Sequence, residues 1–272
     1  MFDNKVTRYG DLQGGGGVAS ETPTGFFSDW ALSHPTKYAT YFNDFFTYAA
    51  GDFTITTVTS GSPTQALTAA QGGVLAITNT TGTTDSTVMQ LKAAPFQLVG
   101  STSSVGGLRN WGSFLVKVSS TAPSLFLGLI NTTTTPSASV TDGIYLTNVG
   151  TALTCSIVAN SGTPQTLTGT TGPTPTLVAG SYFKFSWYYD GGVYSAGGQT
   201  GPQYGRVVFE LTGAGVSANW RGEIACGSTF PFTTLLNPTL QLLNTTGIAS
   251  VLSVDSIFVS QDRTSVLTTP AF

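Results

Sequence analysis

The sequence predicts an all-β protein, and three observations carry that expectation. Short apolar runs recur about every ten residues between Gly, Pro, Asn and Asp, which is the pattern of a sandwich or barrel. The clearest run alternates with period two, setting Phe183, Phe185, Trp187 and Tyr189 on one face and Lys184, Ser186 and Tyr188 on the other. Capped helical periodicity is absent, and Thr, whose branched Cβ suits a pleated surface, fills many outward positions. A chain of 272 residues has room for one large β domain or two small ones, and at that length folding buries roughly 70% of the unfolded surface.

The expected strands follow in chain order. They run from Asp52 to Ser60, Gly73 to Asn79, Thr87 to Lys92, Trp111 to Ser119 and Ser124 to Asn131. Beyond these come Gly143 to Asn148, Thr151 to Ala159, Tyr182 to Asp190, Arg206 to Thr212, Thr239 to Asn244 and Val251 to Ser260. Asp142-Gly143 leads into Ile144-Tyr145-Leu146 and Asp190-Gly191-Gly192 follows the aromatic strand, so both are expected to supply the positive φ of a tight turn. In the strand after the loop Gly191 to Gly205, Val207, Phe209 and Leu211 face one way and Val208 and Glu210 the other. That Gly-rich loop, with Tyr194 and Tyr204 inside it, is longer than a hairpin needs and reads as a protrusion or contact surface.

Composition excludes several classes. Only 8% of residues are charged, against about 25% in ordinary soluble domains, so Thr, Ser, Asn, Gln and Gly must build the solvent face. A net charge of -3 with ten scattered basic residues offers no track for phosphates, so no nucleic-acid partner is expected. Apolar runs such as Leu125 to Ile130 are strand-length and interrupted by Gly128, so no membrane span is expected. Asp3, Lys5 and Arg8 occupy the place of an export signal's apolar core.

Catalytic chemistry finds little material. The single histidine, His34, precedes Pro35 in a loop-like segment, and a Ser or Cys hydrolase needs a histidine base. The glutamates are Glu21, Glu210 and Glu223, without the spacing of a sandwich-fold glucanase. Asp142 and Asp190 offer oxygens to calcium, but their Asp-Gly turns explain them equally well, and no metal or other cofactor is expected. Gly14 to Gly17 lacks the Lys-Ser/Thr of a phosphate loop. Cys155 and Cys226 sit among small and apolar neighbours and read as buried free thiols. Trp187, Tyr188, Tyr194, Tyr204 and Trp220 could form a sugar-stacking platform, or pack core and rim. The sequons at Asn79, Asn131 and Asn244 are expected by chance in an Asn/Thr-rich chain.

Residues 1–39 read as an extended Gly-rich arm, 40–263 as the sandwich and 264–272 as a tail. The arm carries Gln13-Gly14-Gly15-Gly16-Gly17 and then Phe26, Phe27 and Trp30, an aromatic cluster that needs a partner surface.

Four segments in order resemble a known family: Tyr41 to Thr54, Thr141 to Tyr145, Phe185 to Gly191 and Val254 to Val259. They look like tailed-bacteriophage virion proteins with a concanavalin A-like, laminin G-like jelly-roll β-sandwich. The resemblance implies a non-enzymatic structural protein that decorates or cements the outside of a capsid, with head-fibre and tail roles as neighbours. It implies the major capsid protein and further copies of the chain as partners, Phe26, Phe27 and Trp30 as capsid-contact candidates, and residence on the virion after synthesis in the host cytoplasm. The alternative is a receptor- or glycan-binding module of a head fibre or tail, meeting a cell-surface glycan or a neighbouring subunit through Tyr194, Tyr204 or Trp220.

Overall fold

The computed structural model describes residues 38–58, 63–68, 73–100, 107–167, 174–191, 205–226 and 233–262. The strands are β1 (Tyr38–Asn43), β2 (Phe53–Val58), β3 (Thr64–Thr68), β4 (Val74–Asn79), β5 (Ser86–Leu91), β6 (Arg109–Val118), β7 (Ser124–Asn131) and β8 (Gly143–Val149). They continue with β9 (Ala152–Val158), β10 (Gln165–Leu167), β11 (Tyr182–Asp190), β12 (Arg206–Thr212), β13 (Trp220–Ala225), β14 (Leu236–Leu243) and β15 (Ser250–Asp262). Among the described residues the one helical element is a 3-10 turn at Ala50–Asp52.

Two antiparallel sheets face each other. Among the described residues one has eight strands in the order β13-β12-β11-β6-β15-β4-β3 with β1 added beside β15, and the other has seven in the order β10-β9-β8-β7-β14-β5-β2. Strand β15 is long enough to hold β4 along its first half and β1 along its second, with the register shifting at Asp255 between them. Tyr38 therefore lies opposite Asp262, and both ends of the described fold meet at one point. Arg109 fixes that point: its backbone N–H and its guanidinium Nε and Nη2 donate to the Asp262 carboxylate at 3.1, 2.8 and 3.0 Å. The first described strand, β1, thus opens at Tyr38.

The core fills the space between the sheets because alternate residues point inward. Phe183, Phe185, Trp187 and Tyr189 are all buried there, as are Val207, Phe209 and Leu211 on the neighbouring strand. Gly112 makes room for Trp187, since a Cβ there would lie 2.4 Å from the indole ring, and the Trp187 Nε1–H donates to Asn110 Oδ1 at 2.8 Å.

Side-chain amides hold the turns. Asn148 Nδ2 donates to Pro123 O at 3.0 Å while its Oδ1 accepts from Leu125 N, and Asn131 Oδ1 accepts from Thr141 N at 2.9 Å. Asn79 and Asn244, read in the sequence as sequons, are fully out of water and hydrogen-bonded to backbone carbonyls. Gly143 adopts the expected positive φ of 147°. Gly191 does not; it is small because a Cβ would collide with Val99 O, and its N–H donates to Leu108 O.

Four strands escape the sequence pattern. Edge strands β3, β10 and β13 bury little on either face, so alternation is lost. Strand β1 overlaps the segment read as the end of the arm.

An uncharged sheet face as candidate functional site

The structure distributes charge unevenly. Strands β2, β5, β7, β8, β9, β10 and β14, the whole seven-stranded sheet, contain no Asp, Glu, Lys or Arg. The opposite sheet carries Arg109, Lys117, Lys184, Asp190, Arg206, Glu210, Arg221, Glu223, Asp255 and Asp262 on five strands.

On the outer face of the uncharged sheet, pairing register aligns one residue per strand into a row: Thr54, Gln90, Thr239, Gly128, Tyr145, Ser156 and Thr166. Beside it runs a second row of Thr56, Val88, Gln241, Phe126, Thr147 and Thr154. The Phe126 and Tyr145 rings stack with centroids 5.1 Å apart. Tyr145 is half-buried, and its hydroxyl is pushed up in pKa by burial, opposed by a hydrogen bond with Ser156.

Amides occupy the middle of this face. Gln90 Nε2 donates to Thr239 Oγ1 at 2.9 Å and its Oε1 accepts from Thr133 N at 3.2 Å. Asn237 Nδ2 donates to Thr132 Oγ1 at 2.7 Å, and Gln241 Nε2 to Ser86 Oγ at 2.9 Å. Asn237 is 2% and Gln241 4% exposed, yet among the described residues no donor reaches Asn237 Oδ1 or Gln241 Oε1. Such unsatisfied buried acceptors are uncommon and costly. Four residues apart on one face of β14, with Thr239 between them, their Cα atoms stand about 13 Å from each other, and both amides belong to the buried layer beneath this face.

The residues singled out from the sequence fall elsewhere. Phe26, Phe27, Trp30, His34, Tyr194 and Tyr204 lie outside the described residues. Trp220 opens β13 half-buried, its ring folded along its own strand: a Cβ at Gly222 would lie 2.6 Å from the indole and 2.9 Å from Leu167 Cδ1. Trp187 is core, and Tyr188 packs beside Tyr38, Trp111 and Phe258 on the charged sheet's outer face. Asp142 is buried and its Oδ1 accepts from Asn160 N at 2.8 Å, the role of a loop cap. Among the described residues no cluster of three His, Cys, Asp or Glu side chains is arranged for a metal ion. Cys155 and Cys226 are buried free thiols; burial pushes both up in pKa, Cys226 to about 12, so neither supplies a thiolate near neutral pH.

The amide row is not among the residues singled out from the sequence. Its signal was present in the alternation of Asn237, Thr239 and Gln241 along one strand, polar residues where a solvated Lys or Glu would be ordinary.

No protein-family model matches the chain, and no curated protein matches it by sequence. Solved structures do. A protein of unknown function, SO2946 from Shewanella oneidensis MR-1, superposes with a TM-score of 0.54 at 14% identity, covering 90% of this chain and 96% of that one. Peanut lectin superposes at 0.52 with 10% identity over 83% of this chain and 97% of its own. The Lotus tetragonolobus seed lectin gives 0.50 with 10% identity over 83% and 99%. The fold is therefore the concanavalin A-like jelly-roll β-sandwich that legume lectins share.

Proposed function

We propose that the chain is a non-enzymatic structural protein of a bacteriophage virion that decorates or cements the outer surface of the capsid. The observation that carries this reading is the ordered resemblance. Its four segments fall on β1 to β2, the start of β8, the end of β11 and the middle of β15, so it follows the sandwich rather than a single loop. The charge-poor surface supports it, because dense protein contacts then require less desolvation of Lys and Glu chains. The test is co-sedimentation of the purified chain with undecorated capsids, beside a version that starts at Tyr38 and keeps β1. Saturation at a fixed number of copies per particle, lost without residues 1–37 or on replacing Phe26, Phe27 and Trp30 by Ala, is the expected result. Absence of binding by either form would overturn it.

A second reading is a glycan- or receptor-binding module of a head fibre or tail. What favours it is the fold shared with peanut lectin together with the uncharged sheet face, where the half-buried Tyr145 ring lies over the buried Phe126. Aromatic faces are groups that hold a neutral sugar.

A further inference from the structure

The two sides of the sandwich end differently. On one side the edge strands are β10 and β13, and on the other β2 and β3. The first side is guarded: β10 has three residues, and β13 carries Arg221 and Glu223, the latter 3.7 Å from Arg206. Short edges and charged edges are the usual defences against pairing with another chain. The second side has neither. Strand β2 has six residues and β3 five, both without Pro or charge, and among the described residues β2 pairs only with β5 and β3 only with β4.

Exposed apolar side chains gather on this unguarded side. Val58 on β2 is 54% exposed and Leu67 on β3 42%. Phe46, 69% exposed, has its backbone N beside Gly73 at the start of β4, and Phe42, 48% exposed, lies on β1, which shares with β4 one side of β15. These are four of the seven large apolar residues exposed among the described ones.

We infer that the β2–β3 edge is the surface on which a second copy of this chain pairs, strand to strand, about a two-fold axis. A two-fold interface sets residue i of one copy against residue j of the other and j against i, so like charges along one edge would repel, whereas the uncharged β2 and β3 meet no such penalty. The N–H and C=O groups along the edge of β2 gain antiparallel partners, and the exposed Val58 side chain leaves water. With pairing centred on Thr56, Thr54 of one copy stands opposite Val58 of the other. The inference is independent of any role on a capsid.

The test is sedimentation velocity on the full chain at roughly 1–100 μM, where interfaces of moderate affinity dissociate. The wild type is expected to dimerise. The double variants Thr54→Lys/Val58→Lys and Thr54→Glu/Val58→Glu, altered at exposed sites, are each expected to run as monomers, and their equimolar mixture to recover the dimer. Hydrogen exchange on the wild type reads the same edge without mutation: dilution should speed exchange at residues 53–58 and 64–68 and leave 220–225 unchanged. A wild type that stays monomeric across the range overturns the inference. So does a dimer that survives both charge variants, or dilution-dependent exchange at 220–225 instead.

Discussion

One amide side chain at Asn79 ties together three chain segments. Its Nδ2 donates to Asp85 O at 2.9 Å and to Leu242 O at 2.8 Å, while its Oδ1 accepts from Thr87 Oγ1 at 2.7 Å. Asn79→Ala would leave those groups buried without partners, and is expected to cost about 2–3 kcal/mol, read from urea unfolding as a lower midpoint at unchanged slope. Nothing local announces this role. Leu242 lies 163 positions away, so the sequence displays only an Asn-Thr-Thr sequon. The buried cysteines, by contrast, were legible because their small and apolar neighbours already implied a dry site.

At the scale of the element, β15 combines a ladder with an interruption. The shift of register at Asp255 separates the half that holds β4 from the half that holds β1. Burial, and then Asp44 nearby, raise the Asp255 pKa above 3.8 by disfavouring the charged form. The folded state thus binds this proton more tightly than the unfolded chain. Asp255 supports folding fully below pH 3.8, and that support is lost as pH rises through its folded pKa. Asp255→Asn is expected to raise Tm by about 1 °C at pH 7, a small gain because the site is largely solvated, and to leave it unchanged near pH 3 by calorimetry. The sequence showed β7, β11 and β12 with the bounds the structure gives them, because flanking turns and buried faces mark them clearly. It hid the bulge, since one extra residue perturbs a period-two pattern only locally.

For the whole molecule, composition revealed that charge is scarce but not that one sheet holds none of it in its strands. That division appears only when pairing assigns each strand to its sheet. It also sets a test of the second functional reading on an array of neutral and acidic glycans. Binding to neutral glycans, weakened about tenfold or more by Tyr145→Ala, is the expected result, that being the scale of a lost stacking contact. Signal on acidic glycans alone, or none, would remove the reading. The meeting of Tyr38 with Asp262 has a mechanical consequence. Because β1 and β15 are antiparallel and leave from the same end, a pull that separates residue 37 from residue 263 loads their ladder one rung at a time rather than all at once. Arg109 grips Asp262, so the strand that peels is β1, starting with Tyr38 lifting from Trp111. Tension is then relieved at a zipper before it reaches the core.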